Sequence, residues 1–251
     1  MKKIVITGAN GFIGKNLSEL LEQHKFEVKK LQRAGDNHGN DSKIIYWKLG
    51  DKLPTEILNS DIFIHCAHDN SPASLKKSFT ENINYLGLKK ILSQIRKKPK
   101  YEFYFLSSQT AQKNTKSYYG ALKYHMEQLL DHKSENQTEI IIRPGMVYGK
   151  NSHITQLIKK ISKFKIFPFF SSKKNIQPID ISDLCACIYK IIQKKQKQHF
   201  YNLASSEPIN FKKYVKFICN DNSLSTPIFF YIPYGLVIIF TNLLDLIKIS
   251  K

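Results

Sequence analysis

The chain is poor in acid, poor in cysteine and without a long uninterrupted apolar run. Only 20 Asp and Glu stand against 39 Lys and Arg, a formal net charge of +19. An excess of that size points first to nucleic acid. Its distribution argues otherwise: the short runs Lys97-Lys98, Lys159-Lys160, Lys173-Lys174 and Lys194-Lys195 lie far apart, and the lysines accompany a general richness in Ile and Asn. No nucleic-acid partner is expected, and the surplus suits anionic substrates or an anionic membrane surface. The four cysteines (Cys66, Cys185, Cys187, Cys219) contain no C-x-x-C pair, which excludes a zinc or thioredoxin-type centre. A hydrophobic strand begins at Lys3 with no leader ahead of it, so a reducing cytoplasm is the expected compartment. The most apolar stretch, Ile228–Phe240, is broken by Pro233 and Gly235 and followed by Thr241, Asn242 and Asp245. It falls short of the ~20 apolar residues a membrane span needs. A helix on a small lobe, or a peripheral contact with a membrane surface, is the expectation for Pro227–Ile249.

What is present is an ordinary globular balance, 42% hydrophobic and 24% charged over 251 residues, enough for one sizeable core. Apolar runs at Lys3–Thr7, Phe26–Leu31, Ile44–Leu49, Asp61–His65, Phe103–Leu106 and Glu139–Ile142 read as strands. Helical spacing recurs between them: Ile13, Leu17, Leu20, Leu21; then Leu88, Ile91, Leu92, Ile95; then Leu122, Met126, Leu129, Leu130. Strands alternating with helices predict an α/β fold, a doubly wound parallel Rossmann sheet. After about residue 150 the rhythm loosens, with an apolar Phe164–Phe170, a helix at Ser182–Ile192 and a last strand at His199–Leu203. The expected organisation is a Rossmann domain over 1–150 and a small substrate lobe over 151–251, partly interleaved with the sheet.

The first chemical motif is Thr7-Gly8-Ala9-Asn10-Gly11-Phe12-Ile13-Gly14. A glycine triplet between a buried strand and a helix allows the tight turn, the approach of a pyrophosphate and close helix packing. The free N–H groups at the helix start then face the phosphates. At the end of the second strand, where an acid would hold ribose hydroxyls, the chain carries Gln32-Arg33. An arginine there suits a 2′-phosphate, which favours NADP over NAD. Asp61–Ala67 reads as a strand whose end, Cys66-Ala67, passes under the cofactor, with His65 read as a structural histidine.

The second motif is Tyr119-Gly120-Ala121-Leu122-Lys123, which puts a phenol and an ammonium on one helix face. The ammonium is expected to favour the phenolate and lower its pKa, making Tyr119 a general acid/base. Upstream, a hydrophobic strand ends in Ser107-Ser108, and Ser108 is placed to hydrogen-bond a substrate oxygen. A strand-end serine, Y-x-x-x-K and an N-terminal glycine turn together point to hydride transfer at an alcohol carbon.

These residues resemble the extended short-chain dehydrogenase/reductases, the NAD-dependent epimerase/dehydratase family, over nearly the whole chain. The carriers are Thr7–Gly14, the D-x-x-x-H-x-A of Asp61–Ala67, Asn84 with Gly87, the trio Ser108, Tyr119 and Lys123, and Arg143-Pro144-Gly145-Met146-Val147-Tyr148-Gly149. Asp183, opening a late helix, and Tyr201-Asn202 complete the match. The resemblance implies a Rossmann domain with a small C-terminal lobe and nucleotide-activated sugars as substrates, for cell-surface polysaccharide. It implies cofactor contacts at Gly8, Asn10, Gly11, Phe12, Ile13, Gly14, Arg33, Cys66, Ala67, Asn84 and Pro144. Tyr119 and Lys123 belong to that set too, with Lys123 on the nicotinamide ribose. A homodimer is the family's common state.

Departures narrow the reaction. Family 4,6-dehydratases carry Asp-Glu after the catalytic Ser/Thr, whereas Ser108 is followed by Gln109-Thr110. The glutamate of family decarboxylases and the cysteine of the fucose-type epimerase–reductases are also absent at Thr110. What remains is 4-epimerisation or simple keto-reduction and alcohol oxidation. Two alternatives stay open: reduction of another small carbonyl compound, and a non-catalytic NAD(P)-binding regulator.

Overall fold

The computed structural model describes residues 2–33, 41–131, 136–169 and 175–232. The elements run β1 (Lys3–Thr7), α1 (Phe12–Gln23), β2 (Glu27–Gln32), β3 (Ile44–Tyr46), β4 (Ile62–His65), α2 (Pro72–Leu75), α3 (Ile83–Ile95), β5 (Tyr101–Leu106), α4 (Tyr118–Glu127) and β6 (Gln137–Pro144). They continue with β7 (Met146–Tyr148), α5 (His153–Ser162), β8 (Ile166–Phe169), β9 (Asn175–Ile176), β10 (Pro178–Asp180), α6 (Ile181–Gln193), β11 (Phe200–Leu203), β12 (Ile209–Asn210), α7 (Phe211–Asp221) and β13 (Ile228–Tyr231). Most of the segment Pro227–Ile249, from Pro233 onward, lies outside the described residues.

The chain divides into two compact units, one of residues 1–147 with 179–204, the other of 148–178 with 205–251. The first unit holds a seven-stranded sheet in the order β11-β6-β5-β4-β1-β2-β3. Every described pairing in it is parallel. This is the α/β doubly wound architecture expected from the alternation of apolar runs. Central strands of such a sheet are covered on both faces, so they read as continuous apolar sequence. In β1, Ile4, Val5 and Ile6 are all buried. Ile4 and Ile6 pack with α1 and α6 on one face, through Leu17, Leu21, Leu184 and Ile188. Val5 packs on the other, with α3 and α4 contributing Leu88, Ile91, Leu122 and Met126.

The winding reverses between β1 and β4, which are neighbours in space but not in sequence. The crevice outside the carboxyl ends of these two strands is where such sheets bind ligands. At the opposite edge a fully buried Glu139 accepts from Arg96 Nε (2.7 Å) and Nη2 (2.8 Å), Tyr101 Oη (2.9 Å) and Asp131 N (2.7 Å), tying α3 to β5 and β6.

In the second unit α5 packs on α7, where Ser162 Oγ lies 3.2 Å from Cys219 Sγ, and β8 pairs in parallel with β13. In the first unit Asp180 caps α6 by accepting from Ser182 N at 2.8 Å, and Asp183 sits in the first turn of that helix. No helix among the described residues is long and apolar enough to cross a membrane.

Candidate active site

The glycine turn leaves β1 at Gly8, whose φ of +67° is left-handed. A Cβ on Gly8 would meet Ala67 Cα and N at 2.8 Å, so the turn lies directly against the loop that follows β4. A Cβ on Gly14 would lie 2.2 Å from the Gly8 carbonyl, which is why α1 closes tightly on the strand. Helices α3 to α7 start on side-chain caps from Asn82, Ser117, Ser152, Asp180 and Asn210, but α1 starts at Gly11 with none. Its first-turn N–H groups and partial positive charge are therefore open to an anion. Gly11 and Asn10 are exposed, while Phe12 and Ile13 are half-buried against the core. Ala9 N donates to Leu31 O (3.2 Å), joining the turn to the end of β2. Arg33 stands exposed there. Beside it Gln32 is buried, and its Nε2 has no hydrogen-bond partner.

The loop after β4 is the second wall. His65 is buried and shares a 2.7 Å hydrogen bond with Thr7 Oγ1 through Nδ1. Burial, reinforced by Lys123, pulls its pKa down to about 3, which holds the ring neutral. Cys66 N donates to Thr7 O and Ala67 N to Thr7 Oγ1, and burial pushes the Cys66 thiol up to about 12. Asn84 is fully buried: its Oδ1 accepts from Asp69 N (2.7 Å) and its Nδ2 donates to Asp69 O (3.0 Å). Its amide is thereby engaged in clamping the loop.

The third wall comes from β5 and α4. Lys123 is 3% exposed and its Nζ donates to Leu106 O at 2.7 Å. The ammonium lies 4.7 Å from the Phe105 ring centroid and 5.9 Å from that of Tyr119. Burial lowers its pKa to about 8, against the opposing pull of Cys66 and Glu127. The lowered phenol expected from the i, i+4 spacing is not what the site has. Burial pushes Tyr119 up to about 12, because desolvation of a phenolate outweighs an ammonium whose proton is already engaged by a carbonyl.

Ser108 Oγ lies 2.9 Å from Thr110 Oγ1 and accepts from Thr110 N at 3.2 Å. Gly120, the residue after Tyr119, lets α4 start against this serine loop, since a Cβ there would lie 2.3 Å from Thr110 O. The Pro144 carbonyl accepts from Gln109 N (3.0 Å), so the end of β6 supports the same loop.

Two features escaped the sequence reading. One is a buried cluster under the site. Glu127 accepts from Arg143 Nε (2.8 Å) and Nη2 (2.5 Å) and from Ser107 Oγ, while Arg143 stacks over the Phe200 ring at 4.4 Å. It locks α4 to β5 and β6. The signal was a glutamate four residues after Lys123 on a helix face otherwise buried. The other is His68, whose ring packs edge-on against Tyr119 (centroids 5.1 Å apart, 85° between planes). Both of its ring nitrogens are buried without a partner, an arrangement that costs about 1–3 kcal/mol per unsatisfied group.

The arrangement fits a dinucleotide. Gly8, Gly11 and the uncapped start of α1 would hold the pyrophosphate, Gln32 and Arg33 the adenosine ribose, and Tyr119 and Lys123 the nicotinamide ribose.

Comparisons with known proteins agree. The model of the NAD dependent epimerase/dehydratase family matches residues 4–204. The chain belongs to that family and is an NAD(P)-dependent enzyme of the oxidoreductase/epimerase kind. Among curated relatives, sterol-4-alpha-carboxylate 3-dehydrogenase, decarboxylating, of Dictyostelium discoideum is 23% identical, with 85% of this chain and 74% of that protein covered. Among solved structures, UDP-glucose 4-epimerase of Thermotoga maritima, with UDP-glucose bound, superposes with a TM-score of 0.73 at 15% identity, covering 93% of this chain and 87% of that one. The dTDP-4-dehydrorhamnose reductase of Bacillus anthracis, in complex with NADP, gives a TM-score of 0.73 at 18% identity, covering 94% and 86%.

Proposed function

We propose that this chain is an epimerase or reductase of a nucleotide-activated sugar, working at the 4-position through Ser108, Tyr119 and Lys123 with NADP as its dinucleotide. The observation that carries the reading is the buried Lys123, held on the Leu106 carbonyl beside Tyr119 at the carboxyl edge of the sheet. Charges are kept in such a place where a proton or a developing oxyanion has to be managed.

The dinucleotide, when bound, supplies or accepts the hydride. In the oxidative direction Tyr119, once its own proton has passed to solvent, takes the proton of the sugar hydroxyl as the carbon-bound hydride leaves, and in reduction the phenol gives its proton to the carbonyl oxygen. Ser108 holds the same oxygen by its hydroxyl. Lys123 keeps positive charge beside the phenol, so that a phenol raised by burial can still release its proton when substrate is in place. The sugar class is supported by the similar UDP-glucose 4-epimerase and dTDP-4-dehydrorhamnose reductase, and a basic chain suits an anionic sugar diphosphate. The absence of acid around Ser108-Gln109-Thr110 favours these two reactions over elimination.

NADP is supported by Arg33, exposed at the end of β2, and by Gln32, a neutral amide where a carboxylate would repel a 2′-phosphate.

The test is binding followed by turnover. Wild type is expected to bind NADPH more tightly than NADH, with Arg33→Ala weakening only NADPH, by about tenfold or more. Tyr119→Phe should keep dinucleotide affinity and lose about 10²–10⁴ in rate on UDP- or dTDP-linked sugars or their 4-keto forms. NADH binding tighter than NADPH overturns the NADP assignment. A Tyr119→Phe enzyme of normal rate overturns the site.

A further inference from the structure

We propose that His68 binds the nicotinamide half of the dinucleotide, making there the hydrogen bonds that no protein group offers its ring. The assignment rests on the dinucleotide reading above.

The argument is one of place. Ala67 abuts the glycine turn, since a Cβ on Gly8 would stand 2.8 Å from its backbone. The next residue, His68, abuts Tyr119, edge to face at 5.1 Å. The loop after β4 thus spans from the part of the site that would hold the pyrophosphate to the part that would hold the nicotinamide ribose. A dinucleotide laid between those two points crosses residues 66–68. Cys66 and Ala67 offer it backbone and apolar surface, and their N–H groups are already given to Thr7. His68 is the polar side chain on that path.

Its surroundings leave it poised. Neither ring nitrogen has a partner, although a neutral imidazole has one donor and one acceptor to satisfy. Burial keeps the ring neutral, with Lys123 and His65 acting in the same sense. The backbone behind it is pinned, since Asp69 is bonded to Asn84 through both its N–H and its carbonyl. The ring is therefore free to move only about its own torsions. A turn about χ2, a broad and soft torsion, brings a nitrogen out to a ligand without moving the loop. The structural His65 keeps one ring nitrogen on Thr7 Oγ1 and leaves only Nε2 unpaired, whereas His68 has neither nitrogen engaged.

The nitrogen turned to the ligand donates or accepts according to the tautomer, and a carboxamide or a ribose hydroxyl satisfies it either way, whereas a phosphate only accepts. This separates His68 from Gly8, Gly11 and Arg33, which face anions.

The test compares His68→Leu, close in volume and without nitrogens, with His68→Gln, which keeps a donor and an acceptor. NADPH and NADH affinities are read by the fluorescence of the reduced nicotinamide. ADP affinity, which reports the adenosine–pyrophosphate half, is read by calorimetry. His68→Leu is expected to weaken the reduced dinucleotides by about tenfold and to leave ADP within about twofold. His68→Gln should recover most of the loss. The empty His68→Leu protein should melt at or above the wild-type temperature, because unsatisfied groups have been removed. Unchanged dinucleotide affinity in His68→Leu overturns the assignment, and leaves a ring that holds water at most. A parallel loss of ADP also overturns it, by showing that the loop has moved. Wild type that binds neither NADH nor NADPH would bring down the dinucleotide reading itself, a failure visible before any variant is made.

Discussion

Removing the carboxylate of Glu127 tests how the catalytic helix is held. Glu127 is 4% exposed and satisfies three donors, two from Arg143 and one from Ser107. In Glu127→Ala the Arg143 guanidinium keeps its charge with only 20% of its side chain exposed, and the Ser107 hydroxyl loses its acceptor. Breaking a buried pair by deleting one partner costs about 3–5 kcal/mol. Arg143 can rehydrate in part and still stacks on Phe200, so the low end applies, about 3 kcal/mol. At about 2–4 °C per kcal/mol for a chain of this size, the melting temperature should fall by about 6–12 °C. Turnover should fall further than stability explains, because α4 carries Tyr119 and Lys123 and misplacing a catalytic group by ~1 Å can cost about 10²-fold. The double variant Glu127→Leu, Arg143→Met removes both charges together and should recover most of the lost stability. Thermal melts of the three proteins decide the matter. A Glu127→Ala protein melting within about 2 °C of wild type, or a double variant no more stable than Glu127→Ala, would refute the claim that this cluster holds the helix.

Two further outcomes follow from the site. Lys123→Met should abolish turnover yet raise stability at pH 7 by about 1–2 kcal/mol, since a buried ammonium with its pKa lowered to about 8 is a penalty of the folded state. The penalty is present in full below pH 8 and fades as pH rises toward 10.5, so the stability gap between Lys123→Met and wild type should close over that interval in melts at stepped pH. Gly120→Ala places a Cβ about 2.3 Å from the Thr110 carbonyl and should push α4 off the Ser108 loop. The expected cost is about 1–3 kcal/mol in stability and at least tenfold in turnover, measured by melts and steady-state rates.

Much of this was legible in the chain. Buried parallel strands are apolar runs, so β1, β4, β5 and β6 stand out, and the glycine turn and Tyr119–Lys123 spacing carry their own geometry. Ends were harder to read: β3 stops at Tyr46 rather than Leu49, and α6 is capped by Asp180, because a cap is a hydrogen bond and not a residue type. The tyrosine's acidity was misjudged because spacing shows a neighbouring charge but not burial. Asn84 matched a motif, and its amide bonds Asp69 through both N–H and carbonyl, a partner the motif does not show. Arg143 and Glu127 meet across separate elements, and no local pattern pairs them. His68 had no motif at all. It becomes visible only when both of its nitrogens are found without partners.

The chain path of the two units has a consequence for dissecting the molecule. The first unit is written in two pieces, and the second piece carries β11, which closes the sheet against β6, and α6, whose Leu184, Ile188 and Ile192 form much of one core face. A truncation near residue 150 therefore does not release a nucleotide-binding half. It removes α6 from the layer it shares with α1 and bares β6 as a new edge. A shortened gene that keeps this half intact has to splice 147 to 179, treating the residues between as an insert. The same routing means that, as the chain is synthesised, the sheet remains unfinished until that insert has already been made.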